Sequence, residues 1–98
     1  LPAWTVATAA APPEPDAVAA YAACAVCHGR SGEGLEVAGT PRIAGLDRRY
    51  IATQLRHFRD GVRGAMEQDD TGRQMRAALP DSLSDATIEQ LARHIERM

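Results

Sequence analysis

Lysine is missing from this sequence altogether; all eleven basic residues are arginines, set against thirteen carboxylates for a net charge of −2. The arginines are dispersed among the acids, and only four aromatic residues are available to interleave with them, which argues against a nucleic-acid surface. No apolar run approaches the ~20 residues that cross a bilayer as a helix. Large apolar side chains are scarce as well. Hydrophobic residues make up 45% of the chain, but nineteen of them are alanine. From Asp16 onward about twenty larger apolar side chains remain, thin for a small single domain that must offset its own ordering entropy.

Against this background stands Cys24-Ala25-Val26-Cys27-His28, which contains the only two cysteines of the chain. Cys-x-x-Cys-His is the arrangement that attaches a c-type haem. On a helix, positions 24, 27 and 28 share one face, so both thiols can reach the vinyl groups at one porphyrin edge while the His28 imidazole turns to the iron. A redox dithiol would need a βαβ setting, and nothing upstream of Cys24 alternates like a strand. A zinc site would need two more ligands at finger spacing, and only His57 and His94 remain. A disulfide between cysteines this close would close a loop too short to stabilise much, leaving His28 unexplained. Covalent haem c, one group held through Cys24 and Cys27, is the expectation. Buried, it would also supply the core that the composition lacks.

Residues 1–15 mix alanine with four prolines and read as a tail or linker, with Trp4 its one large side chain. Residues 16–98 form the expected domain. A first helix is predicted from Asp16, as N-cap, to Cys27, with Val18, Ala22 and Ala25 as a small-residue face for another helix. In Thr40-Pro41-Arg42-Ile43-Ala44-Gly45, a carbonyl of the rigid Pro41 can accept the His28 Nδ1–H, and Ile43 can wall the cofactor. A second helix is predicted over 47–60, capped by Asp47 and stopped by Gly61, with Ile51, Leu55, Phe58 and Val62 as its core stripe. Arg59, Arg63 or Tyr50 is expected at a haem propionate. A solvated loop containing Glu67, Asp69 and Asp70 then leads to a short helical piece over 73–78. Ser84 caps a last helix that buries Ile88, Leu91 and Ile95 and crosses the first.

Iron bound by His28 needs a ligand on its other face, with Met66, Met75, Met98, His57 and His94 as candidates. Met75 is favoured, because 47 residues after His28 suffice to wrap the chain around the ring edge. Met66 and an open, exchangeable site stay as alternatives, and core filling is the ordinary role of any methionine.

The combination of Tyr21 through Gly29, Gly32-Glu33-Gly34, Pro41-Arg42-Ile43-Ala44-Gly45, Tyr50 to Leu55, Phe58, Arg59, Gly61, Arg63, Met75 and Leu83-Ser84-Asp85 resembles bacterial class I cytochromes c over residues 17–97. It is most similar to the short periplasmic type that also occurs as tandem dihaem proteins and fused domains. The resemblance implies an all-α fold of three main helices and short helical segments around one haem c. It also implies His28 and Met75 as axial ligands, the Pro41 carbonyl on His28, and single-electron transport without catalysis. Expected partners are a redox donor and acceptor, such as a terminal oxidase or other respiratory complex. The expected location is the periplasm, with membrane attachment only through an upstream anchor, since the sequence starts at Leu1. His94 stands where the family carries an aromatic residue in the last helix, and a lysine docking ring has no counterpart here. The runner-up reading is a haem-based sensor or small catalytic domain with an exchangeable sixth ligand.

Overall fold

The computed structural model describes residues 15–80 and 83–98. The tail over 1–14, Trp4 included, and the side chain of the expected cap Asp16 lie outside that description. Among the described residues the regular structure is four α-helices, α1 (Pro15–His28), α2 (Arg48–Arg59), α3 (Asp70–Ala78) and α4 (Asp85–Glu96), with a 3₁₀ turn at Glu36–Ala38. Among the described residues the only β pairing is one isolated bridge, Leu35 to Thr40. No helix among them is long and apolar enough to cross a membrane. The extensive pairings are α2 with α4 and α1 with α4, while α3 rests on α2.

Short polar side chains start the later helices. Asp47 accepts from the Arg49 amide, Asp69 from Gly72 and Ser84 from Thr87, each taking up an amide that the first turn leaves without a partner. α2 stops at Asp60, and Gly61 then adopts φ 76°, a left-handed conformation that costs other residues dearly. Val62 therefore falls beyond the helix and stands exposed; the expected core stripe ends at Phe58. α3 begins three residues before the expected start at Arg73, because Asp69 is its cap and Asp70 sits in its first turn. Gly72 had suggested a loop, yet it is tolerated inside the helix because the Asp69 carboxylate lies over the space a Cβ would fill.

α4 is the centre of the core. Ile88, Leu91, Ala92 and Ile95 are buried against Ile51, Ala52 and Leu55 of α2 and Tyr21 of α1. The face that α1 buries differs from the expected one: Ala17 and Tyr21 point inward, whereas Val18 and Ala22 are exposed and Ala25 is only partly covered. Alanine carries little periodic signal, and the single large side chain Tyr21 sets the rotation of the helix. Its hydroxyl donates to the Gly29 carbonyl at 2.7 Å. Burial pushes this phenol up from its usual range, so it stays a donor. The His94 ring meets Tyr21 edge-on, with centroids 5.6 Å apart, and so makes the ring contact at the α1–α4 crossing.

Tyr21→Phe is expected to leave the Gly29 carbonyl without that donor and to cost about 1 kcal/mol, the net value of one such bond. In a domain of this size that is a fall in melting temperature of roughly 4–8 °C. An unchanged thermal transition would show that the bond contributes nothing.

On the outer side of the α2–α4 pair, Arg56 meets Glu89 at 2.5 Å and Asp85 at 3.5 Å, and Arg59 meets Asp85 at 2.6 Å and Asp60 at 2.7 Å. Arg59 beside Asp60 and Asp85 holds both carboxyls below the usual carboxylate range.

Candidate functional site

One cavity of about 450 Å³ opens between α1, the 38–43 segment, α2 and α3, within the ~300–1,000 Å³ typical of ligand pockets. From α1 it receives Cys24, Cys27 and His28, which lie on one side of the helix at spacings of three and four. Cys24 is partly covered and packs against the core, while Cys27 is exposed at the rim. Burial pushes the Cys24 thiol up, so the sulfur facing the cavity is held neutral. α2 contributes Ile51, Leu55 and Phe58, the residues of its expected stripe, together with Tyr50 and Gln54.

His28 is buried, and its Nδ1 lies 2.9 Å from the Pro41 carbonyl oxygen. A carbonyl only accepts, so the proton of the neutral ring belongs on Nδ1 and the lone pair on Nε2. Ile43 and Pro41 line the same cavity, with Ile43 packed against the core.

Met75 reaches the cavity from α3, which shares no extensive contact with α1, and it also packs on the core. Of the five candidates for a second ligand, Met75 alone lines this space. Met66 is exposed, Met98 packs on the core and beside Gly32, His94 is at Tyr21, and His57 is outside the lining.

Tyr50 lines the cavity with more than half its surface exposed. Arg59 does not reach it. Arg59, expected at a propionate, lies next to Phe58, about 100° further round the helix, and bonds to Asp60, Asp85 and the Leu83 carbonyl. Arg63 lies at the cavity instead. Beyond Gly61 the chain turns back, with the Val62 and Arg63 amides donating to the His57 carbonyl. The Arg63 guanidinium then sits 4.7 Å over the Phe58 ring and donates to Gln54 Oε1 at 2.7 Å. Gln54 had no assigned role, although its position four after Tyr50 put both on one helix face. Thr40 and Leu79, which also line the cavity, carried no signal in the sequence beyond Thr40 preceding a proline.

The chemistry of the lining suits a flat, largely apolar group with an iron centre. Two sulfurs and an imidazole belong to the α1 wall, a thioether comes from α3, and the exposed Arg63 and Tyr50 bring a cation and a phenol to the lining. Left open, the cavity would keep the apolar walls supplied by Ile43, Leu46, Met75 and Leu79 in contact with water, a cost that a bound apolar ring removes. The residues present therefore fit a haem.

The family model described as cytochrome c matches residues 16–98. A protein named thiosulfate dehydrogenase electron acceptor, from Thiomonas intermedia (strain K12), is 42% identical over 76 residues, covering 78% of this chain and 32% of its own. A protein of the same name from Stutzerimonas stutzeri (strain A1501) is 41% identical over 69 residues, covering 70% and 30%. Cytochrome c4 of Pseudomonas aeruginosa is 32% identical over 74 residues, covering 76% and 35%. The chain spans about a third of the length of these curated relatives.

Proposed function

The chain belongs to the cytochrome c family, and on that premise we propose that it carries single electrons through one haem c bound to Cys24 and Cys27 and ligated by His28 and Met75. When bound, that group supplies a one-electron iron couple. Residues 16–98 form the haem domain, and residues 1–15 the tail leading into it. The two thiols would hold the cofactor covalently. His28 offers Nε2 because Pro41 holds the Nδ1 proton, and Met75 offers a soft sulfur that favours the reduced state. Ile51, Leu55 and Phe58 exclude water from the interior, which keeps reorganisation small when charge changes. Arg63, already steadied by Phe58 and Gln54, pairs with a propionate, and Tyr50 stands at the same mouth.

The observation that carries this reading is the convergence of Cys24, Cys27, His28 and Met75, from two separate helices, on one cavity. Family membership makes this an electron-transfer domain rather than a catalytic one. The relatives named as electron acceptors of thiosulfate dehydrogenase support an oxidising dehydrogenase as donor, with a terminal oxidase or other respiratory complex as acceptor. Haem c attachment and the cytochrome c relatives support a periplasmic location.

The alternative, a sensor or catalyst with an exchangeable sixth ligand, is separated by carbon monoxide. A closed His/Met site leaves the ferrous spectrum nearly unchanged at a carbon monoxide concentration that saturates a five-coordinate haem. Conversion of most of the sample to the carbonyl form would remove electron carriage as the conclusion.

A further inference from the structure

The last carbonyls of any helix lack partners within it. At the end of α1 these carbonyls belong to the turn that bears Cys27 and His28. Two of them are taken up from outside the helix: the Gly34 amide donates to the His28 carbonyl at 2.7 Å, and the Thr40 hydroxyl donates to the Cys27 carbonyl. The Thr40 oxygen accepts the Leu35 amide at 3.0 Å, and its hydroxyl donates to the Cys27 carbonyl, with the Leu35 carbonyl a second acceptor at 3.2 Å. The main chains of Leu35 and Thr40 are also paired, at 3.2 and 3.1 Å, closing the loop around the 3₁₀ turn.

The next residue is Pro41, whose carbonyl meets His28 Nδ1. Residues 40 and 41 thus grip residues 27 and 28 in register, one through the backbone and one through the ring. The two segments approach so closely that a Cβ at Gly34 would lie 2.7 Å from the Arg42 nitrogen and 2.9 Å from the Pro41 carbonyl carbon. On the far side, the Ile43 and Ala44 amides both donate to the Gly32 carbonyl, at 2.9 and 3.0 Å.

We propose that Thr40 is a positioning residue for His28: its hydroxyl, fixed by Leu35 and bonded to the Cys27 carbonyl, holds the Pro41 carbonyl against the imidazole and so sets the basicity of the nitrogen offered to iron. This rests on the haem assignment above. A β-branched side chain suits the task, since its χ1 is stiff. Without the hydroxyl, the Pro41 segment is tied to α1 by fewer bonds and the Nδ1–H bond opens more often. A less strongly bonded imidazole donates less electron density, which disfavours the oxidised state.

The test uses the haem-loaded protein in its reduced, diamagnetic form and follows exchange of the His28 Nδ1 proton by NMR, alongside the midpoint potential. Thr40→Val is expected to speed that exchange about tenfold, the factor that one neutral hydrogen bond carries, and to raise the potential. Thr40→Ser is expected to restore most of both. A Thr40→Val protein that melts earlier yet keeps wild-type exchange and potential would reduce Thr40 to a structural residue and overturn the proposal. Should that variant fail to mature, the wild type decides. There the Leu35 amide and the His28 Nδ1 proton must exchange through one common opening, and a Leu35 amide exchanging about a hundredfold faster would refute the link. Failure of the haem assignment reads out separately, as peptide mass without a haem adduct.

Discussion

Met75→Leu is expected to lower the midpoint potential by on the order of a hundred millivolts, inside the ~0.8 V range over which axial ligands tune haem proteins. Leucine keeps most of the apolar volume that Met75 packs against the core, so the change isolates the sulfur. With the proposed ligation the thioether would stabilise the ferrous state, and without it the oxidised state would gain by roughly fiftyfold in equilibrium constant, at about 59 mV per tenfold for one electron. No other methionine stands ready to replace it, since Met66 points into solvent and Met98 packs elsewhere on the core. The same variant should bind carbon monoxide readily in its ferrous form and lose the weak long-wavelength absorption that sulfur ligation gives the oxidised protein. If potential and spectrum both stay at wild-type values, the sixth ligand is not Met75.

Removing both thiols should have a still larger effect. In Cys24→Ala/Cys27→Ala nothing holds the cofactor covalently, so acidified organic solvent should extract all of the pigment, whereas the parent protein keeps it in the aqueous phase. Stability follows the pigment, because the bound group would supply much of the apolar contact of Ile43, Leu46, Met75 and Leu79 in a domain with only ~5–15 kcal/mol to lose. The pigment-free double variant is therefore expected to lack a cooperative thermal transition by circular dichroism. Single variants should differ from each other. Cys24 packs against the core and Cys27 is exposed, so Cys24→Ala should be the more destabilising of the two. A double variant that retains colour after extraction would show that the attachment lies elsewhere.

The parts of this architecture that were legible beforehand are those with a strong local cause. Asp47 and Ser84 cap helices where a short polar side chain precedes a periodic apolar run, and Ile51, Leu55, Phe58, Ile88, Leu91 and Ile95 are buried at helical spacing as expected. α1 was harder. Eleven of its fourteen residues are small, apolar or both in a pattern that repeats on every face, and tertiary packing of Tyr21 chooses among them. Val62 extends the α2 period correctly by count, but the left-handed turn at Gly61 ends the helix first. The Arg59 and Arg63 outcome has a similar origin: both belong to one arginine-rich stretch, and which of them meets the cavity depends on that turn and on Asp85, supplied from a helix 26 residues away. Asp69 and Asp70 resemble solvated loop acids until the Asp69 carboxylate is seen over Gly72.

α4 gives both α1 and α2 their main partner, and its Ile95 carbonyl also receives the Gly45 amide from the segment leading into α2. α1 precedes α4 in the chain, and until Ile88, Leu91 and Ile95 are packed it lacks its main apolar partner. The cysteine-bearing turn thus spends its early life on an unfinished, pliable chain. Attachment of a cofactor to that accessible turn would then precede closure of the domain by α4.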